Sequence, residues 1–460
     1  LTMHHSSKRA LPRPYDFARL GRGKWGVSVG FVEHRWASVG KLTPTRHRGD
    51  SVSPLGAPNL DASGPSGGRR PAERSESAMR VAVVSESFLP TVNGVTNSVA
   101  RVLDHLKERG HEAMVIVPAA GAPKEYAGFE VREVPAIGYR EFPVGLPSPI
   151  VQRHLAEFAP DVLHAASPFL LGAQAIASAN RLGVPSVAIF QTDVAGYARR
   201  NRLGPATALA WRIVRWIHDG ADRTLAPSSA SMADLAAAGI TRVHPWGRGV
   251  DLERFHPRNR LAADAAALRA RLAPNGETIV GFVGRLAPEK QAERLGALRG
   301  IPNLSIAVVG DGPSRDSVRR HLRGMPATML GSLGGRDIAA AYAAFDMFVH
   351  TGTEETFGQT LQEAHASGLP VIAPRAGGPI DLVASGIDGF LFAPDDNDSL
   401  RAAVATLAND PIRRAQMGEA GRRRVLGRSW SVLGDELVVH YGDVIDACRV
   451  RVNGHLQIRA

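Results

Sequence analysis

The sequence predicts an α/β protein of two doubly wound domains, each a parallel sheet with helices on both faces, meeting at a central cleft. Three observations carry this. From Met79 onward, short apolar runs alternate with helical patterns. The rhythm breaks once, at "WGRGVDLERFHP" (Trp246–Pro257), and then restarts. Glycine-bearing loops follow the strands, where open α/β sheets bind ligands.

The elements follow in order. "RVAVVSESF" reads as a buried strand. In "GVTNSVARVLDHLKERGH", Val95, Val99, Val102, Leu103 and Leu106 fall on one helical face, and Gly110 ends the helix. "EAMVIVP", "DVLHA", "PSVAIF" and "RTLAPS" are further strands, separated by "GAQAIASANRLG" and a helix near Pro205–Gly220. After the break come "TIVGFVGRL", "LSIAVVGDGP", "ATMLGSL", "DMFVHTG", "LPVIAPRAGG" and "DGFLFAP". A helical stretch at about Ser429–Arg449 closes the chain. The division expected is a leading segment 1–78, domains at 79–250 and 251–430, and a closing helix and tail at 431–460.

Composition narrows the function. Of the net charge of +11, the first 78 residues carry +7, with 13 basic and 6 acidic side chains. Without that segment the chain is only mildly basic, which argues against a nucleic-acid partner. The segment is rich in Pro, Gly and Ser and lacks periodicity, so it reads as a disordered tail or an over-extended reading frame. A single cysteine, Cys448, excludes a disulfide framework and makes a reducing cytoplasm the expected compartment. No apolar run reaches the roughly 18 residues of a membrane span, so any membrane contact is peripheral.

The loops carry the candidate chemistry. In "GFVGRLAPEK", Gly284 permits a tight turn, and a helix is expected from about Glu289. Arg285 and Lys290 would then sit at its N-terminus, suited to a diphosphate or merely solvated. In "VVGDGP", Gly310, Asp311 and Gly312 allow a backbone to approach a ligand, or form a plain turn. "HTGTEETFGQTLQEA" sets Glu355 in a loop and Glu363 inside the helix that Gly358 begins. Two such carboxylates suit the hydroxyls of an extended ligand, or one favours the helix dipole while the other is solvated. Gly377 and Gly378 follow a strand, as a phosphate cradle or a tight turn. No metal site is expected near these acids.

In the first domain, Asn93 and Gly94 open a helix facing the cleft, and "FQTDVAGY" offers Gln191, Thr192, Asp193 and Tyr197. His164 at a strand end is either catalytic or a hydrogen-bonded structural residue. "ALAWRIVRWIH" mixes Trp211 and Trp216 with Arg212 and Arg215, suiting an anionic membrane surface or a core helix with solvated arginines.

Taken in order, the Gly-Arg-x4-Lys loop, V-G-D-G-P, E-x7-E enclosing Phe-Gly and the Gly-Gly loop resemble the retaining nucleotide-sugar glycosyltransferases of family 4. The resemblance spans nearly all of residues 79–445. It implies the GT-B fold, two Rossmann-like domains with a C-terminal helix crossing back to the first. It implies that Arg285, Lys290 and Glu355 are catalytic, the first two on the donor diphosphate and Glu355 on the sugar. It implies donor contacts from Gly94, Gly284, Gly310, Asp311, Gly377 and Gly378, with Glu363 on the ribose. Asn93, Gln191, Asp193 and Tyr197 fall on the acceptor side.

"PTVNGVTNSVARVL" and "FQTDVAGYARR" look like the actinobacterial GDP-mannose-dependent α-mannosyltransferases that act on glycolipids. That likeness implies a GDP-mannose donor, a lipid-linked or phosphoinositide-type acceptor, no metal or other cofactor, and a place on the inner face of the plasma membrane. A UDP-sugar donor, or a nucleotide-sugar epimerase of the same architecture, is the alternative. One departure stands out: many family members have His where this chain has Gln191, which cannot carry a titratable proton.

Overall fold

The computed structural model describes residues 78–459, apart from 92, 140, 141, 147 and 192–203. Two sheets organise it. The first has eight strands, in the spatial order Val243–Pro245, Arg223–Ala226, Ser186–Ile189, Val162–Ala166, Arg80–Ser85, Glu112–Pro118, Phe129–Val134 and Glu125–Tyr126. All pair in parallel except the last, which turns back on Phe129–Val134. The second has six parallel strands: Ala327–Gly331, Leu304–Val309, Thr278–Val283, Met347–Val349, Val371–Pro374 and Gly389–Phe392. A small hairpin, Ala136–Tyr139 with Phe142–Gly145, was not foreseen from the sequence.

Helices cover both faces of each sheet, so the central strands are buried, apart from Arg80 at the start of the first, and read as nearly continuous apolar runs. Chain order reverses between Thr278–Val283 and Met347–Val349 in the second sheet, and between Arg80–Ser85 and Val162–Ala166 in the first. Such reversals open a crevice beyond the strands' carboxyl ends. The loops carrying Gly94, Lys290 and Glu355 leave from these strands.

The first helix, Gly94–Glu108, buries Val99, Val102, Leu103 and Leu106 against the first sheet. The closing helix is longer than expected, Trp430–Arg459. It begins where the chain returns beside its own connector, with Val250 N–H donating to the Arg428 carbonyl at 2.9 Å. Leu433, Leu437, Tyr441, Val444 and Ile445 then join the core of the first sheet. The Trp246 indole N–H donates to the Leu433 carbonyl at 2.8 Å. His105 and Arg109 both meet Asp435. The crossing-back helix is thus an integral part of the first domain's core.

Candidate active site

Four loops at the carboxyl edge of the second sheet interlock through their backbones. Leu286 N–H donates to the Asp311 carbonyl and Ser314 N–H to the Leu286 carbonyl, each at 2.8 Å. Gly378 N–H donates to the Glu355 carbonyl at 2.7 Å. Thr351 Oγ1 donates to the Lys290 carbonyl at 2.7 Å. This packing explains two of the glycine motifs. A Cβ on Gly310, whose φ is +129°, would stand 1.9 Å from the Gly284 carbonyl oxygen. One on Gly378 would stand 2.1 Å from the Phe357 carbonyl oxygen. At both glycines the missing Cβ lets one loop approach another closely.

Lys290 and Glu355 meet inside this lattice. Lys290 Nζ donates to Glu355 Oε2 at 2.5 Å, with side-chain exposures of 24% and 16%. His350 Nε2 lies 3.9 Å from the same oxygen. Burial alone would raise the Glu355 pKa; the Lys290 charge, with lesser help from His350 and two hydrogen bonds, outweighs it and lowers the pKa to about 2. Burial keeps the His350 ring neutral, its pKa lowered to about 4.

Arg285 departs from expectation. It turns outward, 61% exposed, and pairs with Glu289. The two cations therefore have different carboxylate partners in this structure. The expected helix start is also a short 3-10 turn, Pro288–Lys290, after which Gln291 adopts a left-handed conformation. Three residues of 3-10 helix carry little macrodipole, so Lys290 acts here through its own charge. Asp311 pairs with Arg315 at 2.9 Å.

Glu363 lies on the helix Gln359–Ala366 and accepts from the Tyr342 hydroxyl at 2.9 Å. Burial, only partly offset by that bond and one from Gln359, raises its pKa to about 7. The E-x7-E spacing thus yields one carboxylate firmly ionised and another poised near neutrality.

On the opposite side of the cleft, Asn93 is occupied by the fold. Its Oδ1 accepts from Val95 N–H and Thr96 N–H, both at 3.0 Å, capping the first helix, and its Nδ2 donates to Ser87 Oγ at 2.7 Å. Asn93 thus stands at the helix start, as expected, with its amide engaged in capping. His164 sits in the core, with Nδ1 2.6 Å from the Tyr441 hydroxyl, and burial lowers its pKa to about 3, so its structural reading holds. Thr192, Asp193 and Tyr197 lie outside the described residues.

One residue was missed. Arg248, in the segment read only as a connector, donates from Nη2 to Gln191 Oε1 at 2.8 Å. Its Nη1 stands 3.0 Å from where a Cβ on Gly94 would lie. Gln362 Nε2 donates to its carbonyl at 2.8 Å, and Gln359 Nε2 to that of Gly249 at 3.0 Å. The available signal was a lone arginine between two glycines at the break between domains, where a cleft-lining residue would fall.

Two Rossmann-like sheets whose switch points open on a shared cleft, with a closing helix returned to the first, define a GT-B glycosyltransferase. The chain belongs to glycosyltransferase family 4: residues 92–254 match the family described as Glycosyltransferase Family 4, and residues 265–424 match Glycosyl transferases group 1. Among its relatives is a GDP-mannose-dependent α-mannosyltransferase of Mycolicibacterium smegmatis, 50% identical over 80% of this chain and 98% of the relative. One from Corynebacterium glutamicum is 46% identical over 80% of this chain and 89% of the relative. The crystal structure of Anabaena Alr3699/HepE in complex with UDP superposes with a TM-score of 0.67 at 21% identity, covering 79% of this chain and all of that one.

Proposed function

We propose that this glycosyltransferase moves mannose from GDP-mannose to a glycolipid acceptor with retention of configuration. The mannosyltransferase relatives, matched over most of their length, support the donor. A more distant relative, an α-monoglucosyldiacylglycerol synthase of Acholeplasma laidlawii at 26% identity over 72% of this chain, is consistent with a lipid-linked acceptor. The observation that carries the mechanism is the Lys290–Glu355 pair at the second sheet's switch point.

Breaking the bond between the sugar C1 and the diphosphate leaves an electron pair on the departing oxygen. An ammonium has three donors, so Lys290 can keep its bond to Glu355 and still present N–H groups to that oxygen. Glu355, ionised throughout the physiological range, can accept from sugar hydroxyls. Arg285 would join by releasing Glu289 as the domains close, which also excludes water. The acceptor hydroxyl forms its new bond to C1 on the face the diphosphate leaves, and its proton passes to the leaving phosphate oxygen. Gln191 supplies no base, which agrees with that route. The reading assigns charge neutralisation to side chains, with no metal cofactor.

Peripheral attachment to the inner face of the plasma membrane is part of the reading. On the helix Gly204–Gly220, Leu209, Ile213 and Trp216 are 56%, 37% and 66% exposed, at i, i+4 and i+7, beside exposed Arg212 and Arg215. Trp211 instead packs against Phe190, with ring centroids 6.5 Å apart. Among the described residues no helix is long and apolar enough to cross a membrane.

A thermal-shift panel of GDP, UDP and ADP, followed by turnover with the matching mannose and glucose donors, tests the donor. Stabilisation by GDP and transfer from GDP-mannose are expected. A shift with UDP and none with GDP would discard mannose while leaving the reaction class. Sedimentation with phosphatidylglycerol vesicles tests attachment: Trp216→Ser with Arg212→Glu should abolish pelleting.

A further inference from the structure

The cleft holds a third cation that, among the described residues, forms no ion pair with a carboxylate. Lys290 is paired with Glu355 and Arg285 with Glu289. Arg248 differs: its side chain bonds the uncharged Gln191 amide, and among the described residues no carboxylate forms an ion pair with it. Its Nε is buried without a partner among the described residues. Removing a guanidinium from water without a counter-charge is unfavourable, and an anion entering the cleft would relieve that.

The fold holds this charge firmly in place. Gln359 and Gln362 tie the connector backbone to the helix that bears Glu363. A Cβ on Gly249 would stand 2.4 Å from Trp430 Cα, and one on Gly247 2.8 Å from Arg428 Nη2, so the chain on either side of Arg248 is tightly enclosed. From that anchor the side chain reaches across to Gln191 at the end of a first-sheet strand and lies over Gly94, the first residue of a 15-residue helix. Glu355 is near enough for its charge to act on Arg248. Arg248 therefore stands between the first domain's helix start and the second domain's carboxylate.

We propose that Arg248 is a leaving-group cation of the transfer reaction, delivered from the connector, and that Gln191 is the positioning residue that aims it. This rests on the reading of the chain as a nucleotide-sugar-dependent transferase. It gives the Gln191 departure a physical reason. An amide oxygen accepts from the guanidinium without cancelling its charge, whereas a carboxylate would cancel it and an imidazole would titrate beside it.

The test uses the full chain with GDP and GDP-mannose. Arg248→Gln should lower kcat by about 100-fold and weaken GDP binding at least tenfold, with Arg248→Lys recovering part of both. Gln191→Glu, which supplies a counter-charge while leaving Arg248 intact, should reproduce the Arg248→Gln defect and add nothing to it in the double variant. An Arg248→Gln protein with wild-type melting, kcat and GDP affinity, or an Arg248→Lys protein no better than Arg248→Gln, would overturn the proposal. So would a Gln191→Glu protein that raises only the KM for acceptor. If the wild type binds none of GDP, UDP and ADP, the transferase reading itself fails, and the role of Arg248 with it.

Discussion

Lys290 Nζ donates to Glu355 Oε2 across 2.5 Å, joining two loops 65 positions apart in the chain. The pair is mostly shielded from water, so neither charge is disposable. Without Lys290, Glu355 would be a desolvated anion with no strong counter-charge. Without Glu355, the Lys290 ammonium would lose the partner that fixes its position. Glu355→Gln should therefore lower kcat by about 100-fold or more while GDP binds as tightly as before or tighter, because a negative charge beside the diphosphate has gone. Calorimetry with GDP beside turnover checks both arms. Unchanged kcat would remove Glu355 from the mechanism.

The two carboxylates of E-x7-E should act oppositely on stability. Glu355 titrates near 4.5 when free and near 2 here, so its stabilisation is complete above 4.5 and is lost as pH falls toward 2. Glu363 goes from 4.5 to about 7, so the native state keeps the extra proton between those values and stability falls as pH rises through that window. At about 1.4 kcal/mol per pH unit, the penalty reaches up to about 3 kcal/mol by pH 8. Glu363→Gln should raise the melting temperature at pH 8 more than at pH 5. Equal effects at both pH values would contradict the assignment.

Gly310→Ala should destabilise by about 3 kcal/mol, combining a left-handed backbone with a Cβ 1.9 Å from a carbonyl oxygen. Because the clash pushes apart the loops that carry Asp311 and Gly284, GDP affinity should fall as well. Denaturant titration alongside GDP binding reads both effects.

Tyr441→Phe isolates the closing helix. It removes the hydroxyl that bonds buried His164 and should cost about 1–2 kcal/mol of stability. Turnover at a temperature where the variant is fully folded should match the wild type, because the pair lies in the core of the first sheet. A specific loss of kcat would return His164 to the list of functional candidates.

Strand positions were readable because buried parallel strands are near-continuous apolar runs, as in Val81–Val84 and Ile279–Val283. The loops bearing Lys290 and Glu355 were readable because each follows an apolar strand run; the structure adds that both strands flank the reversal of chain order. What failed to show was pairing across distance. Nothing local to Arg285 says that its guanidinium turns to Glu289, or that Pro288–Lys290 is a 3-10 turn. For Asn93 the helix start was legible, and its amide caps that helix, a role that favours the same residue type as a ligand contact. Arg248 escaped because its meaning comes from Gln191, Gly94 and Gln362, which lie far from it in sequence and meet it only in the fold.

Steady-state kinetics of Lys290→Met with GDP-mannose addresses the departing charge most directly. A fall in kcat of about 100- to 1000-fold is expected, with the KM for donor moving less than tenfold and the fold intact by melting. A kcat within threefold of wild type would show that the charge departing from the sugar is received elsewhere.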